Sequence, residues 1–469
     1  MRRVPIALSF LLAAGLCAQQ PTLADTFRPA ADKLIEQVKS EGARHTYNAL
    51  SELTDTIGNR ISGSPQLVRA EDWAYAQMKA AGLQNVHFET AKVPHWVRGQ
   101  ESCQMIAPYA KPLDMIGLGG TVATPKGGLT AEVVAVSTFE EFNKLPDAAI
   151  KGKIVLFDEA WQGYGKSVAY RYAGPTEAAK RGAVACLIRT VGSASLGNPH
   201  TGATSLGPGV PMIPSAALSI EDATLLHRLC ERGVMVQVHL SMEARMLGET
   251  TGRNVIGEIP GSEKPNEVVI LSGHLDSWDV GQGAQDDGIG ALLSLGAARA
   301  MLKAGLHTKR TVRVILWTCE EWGGYGAKDY AAAHKAESPN IVAAFESDSG
   351  NGRIQGFSVD LHGEEDAPGQ TRDGDPAERK AVALMSSLAP LLPEGARKMD
   401  IGSSGEDVGY LIPNGAVGIG VGHDASRYFE VHHSKADTFD HIIYDDLSYN
   451  LQAYSVMAYL LADMPDRLK

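Results

Sequence analysis

Residues 268–290 read VVILSGHLDSWDVGQGAQDDGIG. The uncharged run Val268 to Leu271 has the composition of a strand buried on both faces. One histidine and four aspartates then follow within Ser272 to Gly290. From Gly290 to Leu302 small residues are interspersed with leucines at helical spacing, the pattern of a helix packed closely on a sheet. Buried strand, acidic turn and small-residue helix together make a βα unit. The question it raises is why so much negative charge stands where a buried strand ends.

The same alternation continues outward. RNVIGEIPG precedes the unit as a strand, and TVRVILWT, IVAAF and AVGIGVG follow it as further strands, with GGYGAKDYAAAHKA as a helix between the first two of these. This order predicts an α/β fold with a mostly parallel central sheet flanked by helices. Residues 26–83 read as helical, with ADKLIEQVKSEG and RAEDWAYAQMKAAG each ending at a glycine that predicts a stop. Residues 116–245 have a different texture, rich in Gly, Val and Ala. They carry the short strands AEVVAVS, GKIVLFD, VACLIRT and VMVQVHL and one clear helix at GPTEAAKRG. We read them as an inserted β-rich subdomain splitting a catalytic domain made of residues 25–115 and 246–469.

Acids and imidazoles recur at the strand ends. His274, Asp276, Asp286 and Asp287 follow the first strand, Glu320 and Glu321 close TVRVILWTC, Asp348 follows IVAAFES, and YFEVHHSKADTFD supplies His432, His433, Asp437 and Asp440. Any one of these taken alone is a helix cap or a solvated pair. Together they place carboxylates where open α/β sheets bind ligands. Such groups repel one another and resist ionisation unless a divalent cation lies between them.

In this order GHLDSWDVGQGAQDDGIG, WTCEEWGGYGA, ESDS and HHSKADT resemble the M28 family of co-catalytic zinc exopeptidases, within it the carboxypeptidase Q group. IGNRISGSPQ and GRNVIGEIPG extend the resemblance over most of the mature chain, and KGKIVLFD, AAKRGAVACLI and VPMIPSAALSIEDATLL are similar to a protease-associated domain. The resemblance implies two Zn2+ per chain, with His274, Asp286, Glu321, Asp348 and His433 as ligands and Asp286 bridging; manganese or cobalt would suit the same donors. Asp286 is assigned by its distance to Gly290, with the adjacent Asp287 as the alternative. Asp276 corresponds to the acid that orients His274. Glu320 corresponds to the general base, acting on a water whose pKa two metals lower to roughly 7. Relatives often carry a tyrosine where this chain has His432, which either donates to the oxyanion or only sits nearby.

The resemblance implies a metallo-exopeptidase that hydrolyses dipeptides or terminal residues of short peptides. Carboxypeptidase or dipeptidase action needs a cation for the substrate carboxylate, and aminopeptidase action an acid for the amine; IGSSGEDVGYL offers Ser403, Ser404, Asp407 and Tyr410 as pocket residues, or a helix start capped by Ser404. A glutaminyl-cyclase-like transferase would keep one zinc and a receptor-like relative none, and the full set of five ligand positions stands against both. The resemblance also implies a homodimer.

With 43 basic and 55 acidic residues the chain carries a net charge of −12 and has no basic stripe, which excludes nucleic acid as a partner. The first 24 residues, MRRVPIALSFLLAAGLCAQQPTLA, have the layout of a secretory signal, paired arginines before an apolar run too short to span a bilayer. Cleavage after Ala18 or Ala24 fits, giving a secreted or periplasmic protein without a membrane anchor. Cys103, Cys186, Cys230 and Cys319 then remain; spacing assigns no bridge, and no CxxC pattern points to thiolate ligation.

Overall fold

The computed structural model describes residues 22–194, 196–205, 207, 209–363 and 374–469. The expected signal segment, apart from Thr22 to Ala24, lies outside the described residues. Two eight-stranded sheets organise the chain. The first has the spatial order Gln84–Val97, Arg245–Ile259, Arg310–Trp317, Lys264–His274, Ile341–Glu346, Gly418–His423, Ile354–Asp360, Lys398–Ile401. Its four central strands are mutually parallel, and antiparallel strands flank them on either side. This is the mostly parallel sheet that the apolar runs predict, because strands covered by helices on both faces have no solvent side to alternate with.

Helix Ile289–Lys303 is buried along nearly its whole length, packed between that sheet and helix Tyr444–Asp463. Its small residues permit the close approach. A Cβ on Gly290 would stand 1.7 Å from the carbonyl oxygen of Ser347, so only glycine lets this helix begin where it does.

One expected helix stop fails. Gly82 ends helix Pro65–Ala81 at φ 93°, as predicted. Gly42, in contrast, has φ −58° and the chain continues helical through it, ending only at Gly58 with φ 80°. Beyond Gly42 the residues Ala43, Ala49, Leu50 and Leu53 prolong the buried face, and that burial outweighs the roughly 1 kcal/mol that a helical glycine costs.

The second sheet runs in the order Lys111–Leu113, Glu101–Ala107, Gln237–Met242, Leu129–Val136, Ile154–Phe157, Ala185–Arg189, Ser215–Leu218, Met115–Gly117. It thus draws two strands from before residue 116. The expectation of one helix in this region is corrected: Phe139–Lys144, Tyr164–Lys180 and Ile220–Glu231 are all helical. Cys103, Cys186, Cys230 and Cys319 are free thiols. Among the described residues no helix is long and apolar enough to cross a membrane.

Candidate active site

The central parallel strands deliver the acids and imidazoles to one place. His274 is the last residue of its strand, and Glu320 and Asp348 follow the neighbouring strands Arg310–Trp317 and Ile341–Glu346. His274 Nε2 lies 3.2 Å from Asp286 Oδ1, 3.7 Å from Asp348 Oδ1 and 3.9 Å from Glu320 Oε2. His433 Nε2 lies 3.1 Å from Asp286 Oδ2 and 2.9 Å from Glu321 Oε2. Asp286 therefore stands between the two histidines, one carboxylate oxygen facing each. His432 is brought in as well, its ring stacked on His433 at 3.6 Å and its Nε2 3.5 Å from Asp286 Oδ2.

Main-chain hydrogen bonds to buried carboxylates fix this arrangement. Asp287 Oδ2 accepts the His274 N–H at 3.0 Å while its Oδ1 accepts the Gly290 N–H at 3.0 Å, tying strand end to helix start. Asp287 thus serves the backbone, though its carboxylate also lies within 4.8 Å of ligand atoms of His274 and Asp348, and Asp286 faces both histidines. Asp437 accepts the N–H groups of Ala284, Gln285 and Asp286 at 3.0, 2.7 and 3.2 Å, so the segment after His433 also sets the turn that carries Asp286. Asp276 meets His274 with its main chain more closely than with its carboxylate. His274 Nδ1 meets the main-chain oxygen of Asp276 at 3.0 Å, whereas the carboxylate is 3.7 Å away and instead accepts the N–H groups of Glu320 and Glu321 at 3.0 and 3.4 Å. The short turn between the two residues brings the carbonyl, not the side chain, against the imidazole.

Burial and crowding dominate the electrostatics. Burial raises Glu320 well above the usual carboxylate range, with Asp348, Asp407 and Glu321 adding to it against the pull of His274. Burial likewise pushes Glu321 to about 7 and Glu346 to about 8. The imidazoles answer in kind: burial opposes charge on His433, but Glu321 and Asp286 carry it to about 10. His432 goes the other way, kept neutral by burial and by the charge of His433. The site is one in which anions outnumber the cations available to them.

Of the pocket residues offered by IGSSGEDVGYL, Ser403 is exposed and Tyr410 half-buried, its hydroxyl donating to Glu406. Ser404 and Asp407 are buried, Ser404 contacts Asp360, and the short helix Glu406–Gly409 starts at Gly405 without a side-chain cap. Three residues that serve the site were not singled out by the sequence. Glu346 accepts the N–H groups of Asp407 and Val408, and an acid ending the apolar run IVAAFE was the available signal. Arg60 is wholly buried and donates to the carbonyls of Gly58, Leu275, Gln282 and Gly283, bracing the turn beneath Asp286. Its signal was the cluster of small residues around it in IGNRISGSPQ. Arg171 reaches His433 from the second sheet's layer, at 3.2 Å, and nothing in its local sequence marks it.

Comparison with known proteins places this fold. Residues 254–457 match the family model for peptidase family M28. Carboxypeptidase Q of Mus musculus is 41% identical over 426 residues, covering 90% of this chain and 87% of that protein. The crystal structure of a peptidase M28 precursor from Shewanella amazonensis SB2B superposes with a TM-score of 0.87 at 33% identity, covering 95% of this chain and 99% of the other. A zinc aminopeptidase from Bacillus subtilis shares the fold, with a TM-score of 0.65 at 20% identity over 91% of this chain and 97% of its own. With these relatives, an α/β sheet that gathers carboxylates and imidazoles at the ends of its parallel strands defines a metallo-exopeptidase. The chain belongs to peptidase family M28.

Proposed function

We propose that the protein is a secreted exopeptidase that holds two zinc ions and splits dipeptides or removes a terminal residue from short peptides. The observation that carries this reading is the position of Asp286, with Oδ1 3.2 Å from His274 Nε2 and Oδ2 3.1 Å from His433 Nε2. One carboxylate facing two imidazoles in opposite directions fits two adjoining cation sites. Ligand atoms left over at the site support the fit: Glu321 Oε1 and Asp348 Oδ1 are buried without a hydrogen-bond partner. Buried acceptors in that condition are costly unless a cation engages them.

His274 and Asp348 would hold one ion, Glu321 and His433 the other, and Asp286 both. When bound, such ions polarise a peptide carbonyl and lower the pKa of a water molecule. Glu320 then does the proton work. Its carboxylate takes a proton from the water whose oxygen adds to the carbonyl carbon, and returns that proton to the amine nitrogen as the C–N bond breaks. Asp276 holds the Glu320 main chain by its N–H. His432, neutral and beside Asp286, is placed to donate a hydrogen bond to the oxygen on which charge develops. The layer built on the second sheet serves as a protease-associated-like insert over this site.

The test is a panel of dipeptides and their end-blocked analogues, assayed with added zinc and again after chelation, alongside metal analysis of the folded chain. Zinc-dependent cleavage and two ions per chain are expected. One ion indicates a cyclase-like transferase and none a non-catalytic relative. Loss of cleavage on blocking the carboxyl end assigns carboxypeptidase or dipeptidase action, and loss on blocking the amine assigns aminopeptidase action.

A further inference from the structure

The loop that carries His433 is held by residues of the second sheet's layer. The Thr201 N–H donates to the His433 carbonyl at 2.8 Å, His200 and Ser434 form an antiparallel bridge, and Asn198 Nδ2 donates to Ser434 Oγ at 2.8 Å. His433 itself has φ 59°, a left-handed backbone that a non-glycine residue adopts only where its surroundings over-determine it. The ring is gripped too. Arg171, on helix Tyr164–Lys180, places Nη1 3.2 Å from His433 Nδ1 and 3.4 Å from the Thr201 carbonyl oxygen, while Nη2 donates to the Tyr164 hydroxyl at 3.0 Å. Thr201 O is also 3.3 Å from His433 Nδ1.

Arg171 has no open path to a substrate. It is 6% exposed, and Gly202 closes over its head: a Cβ there would stand 2.3 Å from Cζ and Nη1 and 2.6 Å from Nε. Its influence therefore passes through the Thr201 carbonyl to the imidazole. We propose that Arg171 is a positioning residue for His433, and that the layer built on the second sheet completes the metal site by fixing this ligand's ring. A ring that holds an ion through Nε2 carries its proton on Nδ1, which donates to the Thr201 carbonyl; Arg171 holds that carbonyl through Nη1 and is itself anchored on Tyr164 through Nη2, a planar fork whose geometry an ammonium group does not keep. The proposal rests on the reading of His433 as a ligand to one of two ions.

The experiment titrates zinc into the metal-free full chain against a competing chromophoric chelator, for wild type, Arg171→Lys and Gly202→Ala. Groups that orient a metal-binding histidine are worth about 10–100-fold in affinity. One of the two zinc equivalents is therefore expected to weaken at least about tenfold in both variants while the other keeps its wild-type affinity. Gly202→Ala leaves the arginine in the chain but denies its head the space, so it decides the matter if Arg171→Lys does not fold. Two equivalents of unchanged affinity in the variants would overturn the proposal. So would an equal weakening of both with a lowered melting temperature of the metal-free protein, which marks general loosening. Wild type that takes up no zinc removes the metal reading itself, an outcome separate from failure in the variants alone.

Discussion

Asp276 Oδ1 accepts the main-chain N–H of Glu320 at 3.0 Å, so an acid following one strand fixes the residue that follows its parallel neighbour. Its other oxygen takes the Glu321 N–H, and the whole carboxylate is buried. Asp276→Asn replaces one acceptor by an NH2 group facing an N–H and so pushes one of the two glutamates out of place. We expect kcat to fall about 10–100-fold with zinc content retained, measured by steady-state kinetics alongside metal analysis. An unchanged kcat would show that Glu320 is held by other means.

On the proposed mechanism, Glu320 separates chemistry from metal binding. Glu320→Gln keeps the shape of the side chain but not its ability to accept a proton. General-base loss is worth about 10²–10⁴-fold, so kcat is expected to fall by about that factor with KM and zinc stoichiometry unchanged. A variant that loses zinc instead makes Glu320 a ligand.

Asp437 accepts three successive main-chain N–H groups and is buried. Asp437→Ala leaves those donors without an acceptor in the protein interior, where each unmet group costs about 1–3 kcal/mol. Chemical denaturation of the metal-free variant is expected to show a loss of about 3–5 kcal/mol. Asp437→Asn, which keeps one oxygen, should lose clearly less; equal losses would mean that the carboxylate's charge, rather than its acceptors, holds the turn.

The sequence showed the chemistry more clearly than the geometry that supports it. Acids and histidines past apolar runs can be read because strand ends of a parallel sheet are where ligands sit, and the runs themselves fix which residues those are. The helix stop at Gly42 could not be read correctly, because its local signal is overridden by the buried face that Ala43 to Leu53 present to elements distant in sequence. Arg60 and Arg171 were invisible for a related reason. Each is buried by neighbours some 200 residues away or more, Gln282 in one case and His433 in the other, and an isolated arginine carries no local pattern. Asp276 shows the limit within a motif. Its spacing from His274 was right, but which of its oxygens meets the ring depends on the turn.

If the chain is exported as proposed, the start of the first helix bears on where its precursor would be cut. Thr22 caps helix Leu23–Gln37 and forms a reciprocal capping box with Asp25, and Ala24 is buried. Cleavage after Ala24 would remove the cap, worth about 1 kcal/mol, together with part of the first turn. Cleavage after Ala18 keeps both. N-terminal sequencing of the exported protein is therefore expected to begin at Gln19, and a start at Asp25 would show that the cap is dispensable.

His334 provides a pH-dependent contribution to stability remote from the candidate active site. Its Nδ1 lies 2.9 Å from Glu337 Oε2, its Nε2 lies 3.0 Å from Glu89 Oε1, and its ring stacks on Tyr330 at 4.1 Å. The hydrogen bond to Glu337, then that to Glu89, raises the imidazole to about 9. A histidine raised in the folded state stabilises most where both states are protonated, below about 6.5, and the gain is lost as pH climbs through about 9. Because the group is partly open to solvent, the gain is about 1 kcal/mol. Urea unfolding of wild type and His334→Gln should accordingly differ by about 1 kcal/mol at pH 6 and converge near pH 10. A difference that persists undiminished at pH 10 would assign it to the ring stack on Tyr330 and not to the charge.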